Sequence, residues 1–161
     1  MKKRFLLTAL MLVVMLVASC ASALADEDAP PPSQISENPN FSIYEWNRTI
    51  MPYASDELTI TRTVASITKL SSTSIYVRGV TETNRQCSVV TVMLYVEQWK
   101  DNKWNSYASR TVSDFNSYTA TATKVVDVEP GYYYRLVVQH RAIYGLEHVY
   151  DLTNTNSIYV N

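Results

Sequence analysis

The sequence predicts an all-β protein, an antiparallel β-sandwich of about seven strands with an immunoglobulin- or fibronectin-like Greek key. Three observations lead there. From Thr59 onward Val, Ile, Thr and Tyr dominate, the residue types that fit a pleated, half-buried surface. Apolar and polar side chains alternate with a period of two, and no 3.6-residue apolar stripe of helical length appears. Turn signals separate the runs. A closed barrel is the alternative arrangement of the same strands.

The chain opens with Lys2, Lys3 and Arg4, an apolar run from Phe5 to Ala18, and small residues up to Ala25. This is the form of a secretory signal peptide over 1–25, with cleavage expected after Ala25. The run is shorter than the roughly 20 residues a membrane-spanning helix needs. Val17-Ala18-Ser19-Cys20 also has the form of a lipobox, in which Cys20 is lipidated and becomes the N-terminus. The expected location is therefore secreted, or alternatively lipid-anchored at the cell membrane. Residues 26–40 are acidic, then carry Pro30-Pro31-Pro32, and are expected to be a disordered linker. Residues 41–62 hold aromatics without a sustained period and are expected to be irregular, and 63–161 form the β-domain. Asn47-Arg48-Thr49 is a glycosylation sequon in form only, without meaning in a bacterial host.

Within the domain, Ser66–Leu70 and Ser74–Val80 read as two short strands around Ser71-Ser72-Thr73. Val90, Val92, Leu94 and Val96 alternate toward one face, and Lys100-Asp101-Asn102-Lys103 turns the chain into a hairpin. Trp104–Val112 returns, Tyr118–Val128 follows, and Pro130-Gly131 breaks it. Tyr132, Tyr134, Leu136, Val138 and His140 then form the core-facing set of the clearest strand. Tyr144-Gly145 turns the chain again, and Ser157–Val160 closes it. Tyr134 stands where sandwich domains place a corner tyrosine, whose phenol bonds back to upstream backbone.

Composition excludes several functions. Removing the signal leaves 11 basic against 15 acidic side chains, a net charge of −4, so no basic block remains to neutralise nucleic-acid phosphates. Contact with a membrane is expected only through a lipidated Cys20. Cys87 is left alone, so stability must come from packing and backbone pairing, and a catalytic thiol lacks a nearby His in sequence. Glu97, Asp101, Glu129, Glu147 and Asp151 are scattered, and no pair can be set face to face for acid–base work. No nucleophile, phosphate-loop or zinc-protease motif is present, and no cofactor is expected. An enzyme is not expected. The weak metal alternative places His140 and His148 across a hairpin.

Ile67-Thr68-Lys69-Leu70-Ser71-Ser72, Arg78-Gly79-Val80-Thr81, the stretch from Leu94 to Trp104, and Gly131-Tyr132-Tyr133-Tyr134-Arg135 with His140 and Ala142 carry a resemblance. Over about 63–161 the chain resembles a family of small secreted proteins from Gram-positive bacteria classed as a domain of unknown function. The resemblance implies export, an all-β domain and a bacterial source, with no ligand or catalytic residue.

The candidate binding surface is a sheet face. If the strand of Val90–Val96 pairs with that of Tyr132–His140, Met93, Tyr95 and Glu97 lie outward beside Tyr133, Arg135 and Val137. Trp99 and Trp104 adjoin them on the hairpin. Exposed tyrosine, tryptophan, methionine and arginine are what recognition surfaces favour. The expected partner is an extracellular protein or glycan. The competing readings are a patch covered by the linker or by Phe41–Tyr53, a self-associating surface or matrix protein, and an extracellular enzyme built on His140, His148 or Cys87.

Overall fold

The computed structural model of the chain describes residues 29–31, 34–47 and 57–161. The expected signal peptide, Cys20 and the cleavage point after Ala25 lie outside the described residues, as does most of the sequon. The described chain is all-β with no α-helix, and no helix in it is long and apolar enough to cross a membrane. Seven strands form one antiparallel sheet: β1 (Phe41–Asn47), β2 (Ile60–Ser71), β3 (Ser74–Lys100), β4 (Lys103–Asp127), β5 (Tyr132–Tyr144), β6 (Glu147–Asn154) and β7 (Ile158–Val160). The order is β1-β2-β3-β5-β6, with β4 beside β3 and β7 beside β5.

The sheet is curled. Two of its edge strands, β1 and β6, contribute walls to one cleft, and the Leu58 amide donates to Glu147 Oε2 at 2.8 Å across the same seam. Within β3 the chain faces itself. A Cβ placed on Gly79, in the first half of β3, would stand 2.7–2.9 Å from Leu94, Val92 and Val138. Only a residue without a side chain allows so close an approach. The core fills the space between the facing halves with Ile67, Ile75, Val77, Val90, Leu94 and Leu136, all buried.

β3 and β4 make this geometry possible because each runs through both halves. The separate strands expected at Ser74–Val80 and Val90–Val96 are one strand, as are those at Trp104–Val112 and Tyr118–Val128. Their ladder shifts register by one residue between Val96 and Glu97 and is more widely interrupted between Glu82 and Cys87. There Thr83–Gln86 oppose Tyr118 alone, a bulge that bends the ribbon. Side chains take over from the ladder: Thr83 Oγ1 donates to Tyr118 O (3.0 Å) and Gln86 Nε2 to Asn116 O (2.7 Å). Asn116 adopts a left-handed φ of 50° beside them. A run of Thr, Asn, Arg and Gln reads as a loop in sequence, yet its polar groups hold a strand corner together.

The segment expected to be irregular holds β1, an edge strand paired with β2 from Phe41↔Thr68 to Asn47↔Arg62. Six of its seven residues are exposed, so no burial pattern advertises it. Gln34–Ser36, within the expected linker, is also held: Ile35 forms a parallel bridge with Ser157. β6, absent from the expected strands, pairs with β5 through a two-residue turn at Gly145-Leu146.

Candidate functional site

The β3–β5 pairing runs from Val89↔Ile143 to Gln98↔Tyr134. Inward residues are buried, among them Val90, Val92, Leu94, Val96, Tyr134, Leu136 and Val138. The opposite parity faces out. One step beyond Gln98 and Tyr134, the outward residues are Trp99 on β3 and Tyr133 on β5. Trp104 pairs with Trp99 and Tyr159 with Tyr133. Four aromatic residues from four strands therefore make one row across the end of the sheet. Trp99 and Trp104 meet edge to face at 5.1 Å, and Tyr133 and Tyr159 meet tilted at 4.9 Å.

Beside this row lies a cleft of ≈ 360 Å³ lined by Trp99, Lys100, Asp101, Gly131, Tyr132, Tyr133 and Tyr159. Two turns fix its walls. Asp101 and Asn102 both have left-handed φ (55° and 57°), the requirement of a tight two-residue hairpin matched to strand twist. Gly131, at φ 88°, ends the other turn, and its amide donates to Val160 O at 2.6 Å. The Lys100 ammonium lies 5.5 Å from the centre of the Tyr132 ring, so the cleft combines aromatic walls with a cation and a carboxylate.

The sequence-predicted residues divide into three groups. Trp99 and Tyr133 line the cleft. Trp104 and Arg135 flank it but are already engaged. The Arg135 guanidinium stacks over Trp104 at 4.3 Å and donates to Glu97 Oε2 at 2.7 Å, and Trp104 Nε1 donates to Gln34 Oε1 at 2.9 Å. Met93 and Tyr95 lie farther along the same face, where Tyr95 donates its hydroxyl to Met93 Sδ at 3.6 Å. Tyr132, Tyr159, Lys100 and Asp101 are further lining residues that the sequence does not mark as a site; Tyr132, expected to face the core, packs against it and also lines the cleft. The Lys100–Lys103 turn was the only signal for Lys100 and Asp101, and nothing local pointed to Tyr159.

Tyr134 supports the row from beneath. Its ring is fully buried and meets Tyr107 edge to face at 5.3 Å. The phenol donates to Glu129 O (2.8 Å) and accepts from Glu129 N (3.1 Å) and Gln98 Nε2 (2.9 Å). Burial pushes its pKa up to about 12.

The weak metal alternative is overturned by register. His140 pairs with Asp151, whereas His148 pairs with Ile143, three residues along β5 and so on the other face. His140 is fully buried between Thr81 and Thr153, with Nδ1 2.7 Å from Thr81 Oγ1 and Nε2 2.9 Å from Thr153 Oγ1. No group of three metal-binding side chains occurs among the described residues. Cys87 is buried, its thiol 3.4 Å from Arg85 O. Neither His140, His148 nor Cys87 lines this cleft or the seam cleft between β1 and β6. The seam cleft, ≈ 370 Å³, is walled by Tyr44, Trp46, Leu58, Ile60, Val149 and Tyr150 among others. Its lining includes Trp46 and Glu57, and residues 48–56 lie outside the described residues.

Compared with known proteins, the chain matches no family model and no curated sequence.

Proposed function

We propose that the protein is an exported, non-catalytic recognition module that binds an extracellular protein or glycan at its aromatic row. The observation that carries this reading is the cleft in which Trp99, Tyr132, Tyr133 and Tyr159 meet Lys100 and Asp101. Ring faces cover the apolar side of a sugar or side chain while polar groups at the rim fix its orientation. Both turns that wall the cleft are short and conformationally set, so binding orders little new chain. As a scaffold, the curled sheet reads as a β-sandwich whose halves share β3 and β4, rather than a set of separate short Greek-key strands. The signal-like N-terminus supports export, with a lipid anchor if Cys20 is processed, and the resemblance to secreted Gram-positive proteins agrees.

A glycan array and a pull-down from extracellular fractions test it with the purified protein and with Tyr133→Ala plus Tyr159→Ala. Retention should fall about tenfold or more, from two aromatic contacts worth about 0.5–1.5 kcal/mol each beyond their area. Tyr95→Ala, on the same face outside the cleft, should bind as the parent does. Equal retention by the double variant removes the proposal.

A second reading has its own observation. β1 and β6 are open edges that expose Ile43, Tyr150 and Leu152, which suits self-association through strand pairing. A sedimentation mass that rises with concentration, without added ligand, favours it.

A further inference from the structure

The seam cleft between β1 and β6 shares no lining residue with the cleft of the aromatic row. Alternation places its walls. On β1, Ser42, Tyr44 and Trp46 pair with Ile67, Ala65 and Thr63, all buried, so the three lie on the inward side of the strand. Ser42 is buried, yet Tyr44 and Trp46 keep 42% and 37% of their surface, so they wall an opening instead of filling the core. On β6, Val149, Asp151 and Thr153 pair with Ala142, His140 and Val138, again all buried. An aspartate therefore takes a core-facing register position at the seam. The remaining wall, Glu57 to Ile60, is pinned along its length. Asn84 Nδ2 donates to Glu57 O (2.9 Å), Glu147 Oε2 accepts from Leu58 N (2.8 Å), and Asn84 Oδ1 accepts from Thr59 N (2.9 Å).

Charge in this cleft is of one sign. Its acidic lining residues are Glu57 and Asp151, and no lysine or arginine lines it. Neither carboxylate has an ion-pair partner among the described residues, and Asp151 Oδ1 accepts from the adjacent Leu152 amide at 2.8 Å. Arg62, on the neighbouring strand, is held by Glu45 and Glu82. The Arg141 guanidinium lies 5.5 Å from the Tyr150 ring centre, which leaves Tyr44 and Trp46 as the rings open to a ligand. Ring faces attract a cation through their quadrupole and carboxylates attract it through their charge, and the two act together where water is partly excluded. An anionic ligand would meet repulsion from both carboxylates.

We infer that the seam cleft binds an organic cation, an alkylammonium group whose carbons lie against Trp46 and Tyr44 while its charge faces Glu57 and Asp151. This site is separate from the aromatic row, and neither depends on the other.

The test titrates the ¹⁵N-labelled protein with choline, a trimethylammonium probe, and with its neutral carbon isostere 3,3-dimethylbutan-1-ol. The readout is the Trp46 indole N–H resonance, assigned by its loss in Trp46→Phe. Choline should move this resonance saturably while those of Trp99 and Trp104 stay in place. The isostere should require concentrations about tenfold higher, the difference one partly desolvated cation–π contact makes. Glu57→Gln combined with Asp151→Asn should weaken choline about tenfold and leave the isostere unchanged. Nα-acetyl-lysine methylamide, titrated in parallel, assigns the source: tighter binding than choline points to a peptide side chain, weaker binding to a free quaternary cation. Equal affinity for choline and its isostere in the parent overturns the inference without calling on any variant. A Trp46 resonance that neither ammonium probe moves overturns it as well, as does parental choline affinity in a double variant with the parental urea midpoint. Movement of Trp99 in step with Trp46 would assign the cation to the other cleft and end the claim for this one.

Discussion

His140 joins three strands with one side chain. Thr81 comes from the first half of β3, His140 from β5 and Thr153 from β6, so the imidazole stitches the facing halves through the core. A neutral ring suits this place, donating from one nitrogen and accepting at the other. Burial pushes its pKa down to about 4 from an ordinary 6.5. The unfolded chain therefore takes up a proton that the fold refuses. Stability should be complete above pH 6.5 and decline as pH falls toward 4, by about 3 kcal/mol in all. Urea midpoints between pH 7 and pH 4.5 should show this slope, and His140→Gln should flatten it. An unchanged slope in the variant would place the proton uptake elsewhere. Tyr134→Phe removes a phenol with three partners and leaves the buried Gln98 amide without its acceptor. A loss of about 2–3 kcal/mol is expected at neutral pH, measured by urea unfolding.

The strand elements differ in how openly the sequence declares them. Val90–Val96 and Tyr132–His140 were legible because strict alternation carries through to burial, and their pairing put Met93, Tyr95, Tyr133 and Arg135 on one face. β1 was not legible, since an edge strand with both faces wet has no burial pattern to display. The continuity of β3 and β4 was hidden for a different reason. Thr83, Asn84 and Gln86 bond backbone carbonyls at the corner, a role that looks like turn chemistry until the partner strand is known. Gly79 is the sharpest case. Its position mid-strand reads as a weakness, but the halves approach too closely there to admit a side chain. Gly79→Ala should cost about 1–3 kcal/mol through overpacking against Leu94, Val92 and Val138, although alanine is the better strand former. A thermal midpoint equal to the parent's would mean the halves can part without penalty.

For the whole molecule, the site was legible where one hairpin supplied it and hidden where distant chain did. Trp99 and Trp104 are neighbours by virtue of a turn the sequence spells out. Gln34 and Ser157 meet across 123 positions, which no local pattern encodes. The termini of the described chain thus converge on the same end of the sheet as the aromatic row. Because β3 and β4 belong to both halves, neither half has a complete set of backbone partners without the other, and unfolding should be a single transition by both far-ultraviolet dichroism and tryptophan fluorescence. Two separated transitions would contradict that dependence. The same shared pair of strands decides where the polypeptide tolerates being severed. A break between Asp101 and Asn102 opens only the tip of the ribbon, so fragments ending and beginning there should reassemble when mixed. A break at Arg85 would cut one of the two strands that cross the bend, leaving β4 alone to join the halves, and its fragments should reassemble less readily than those parted at Asp101.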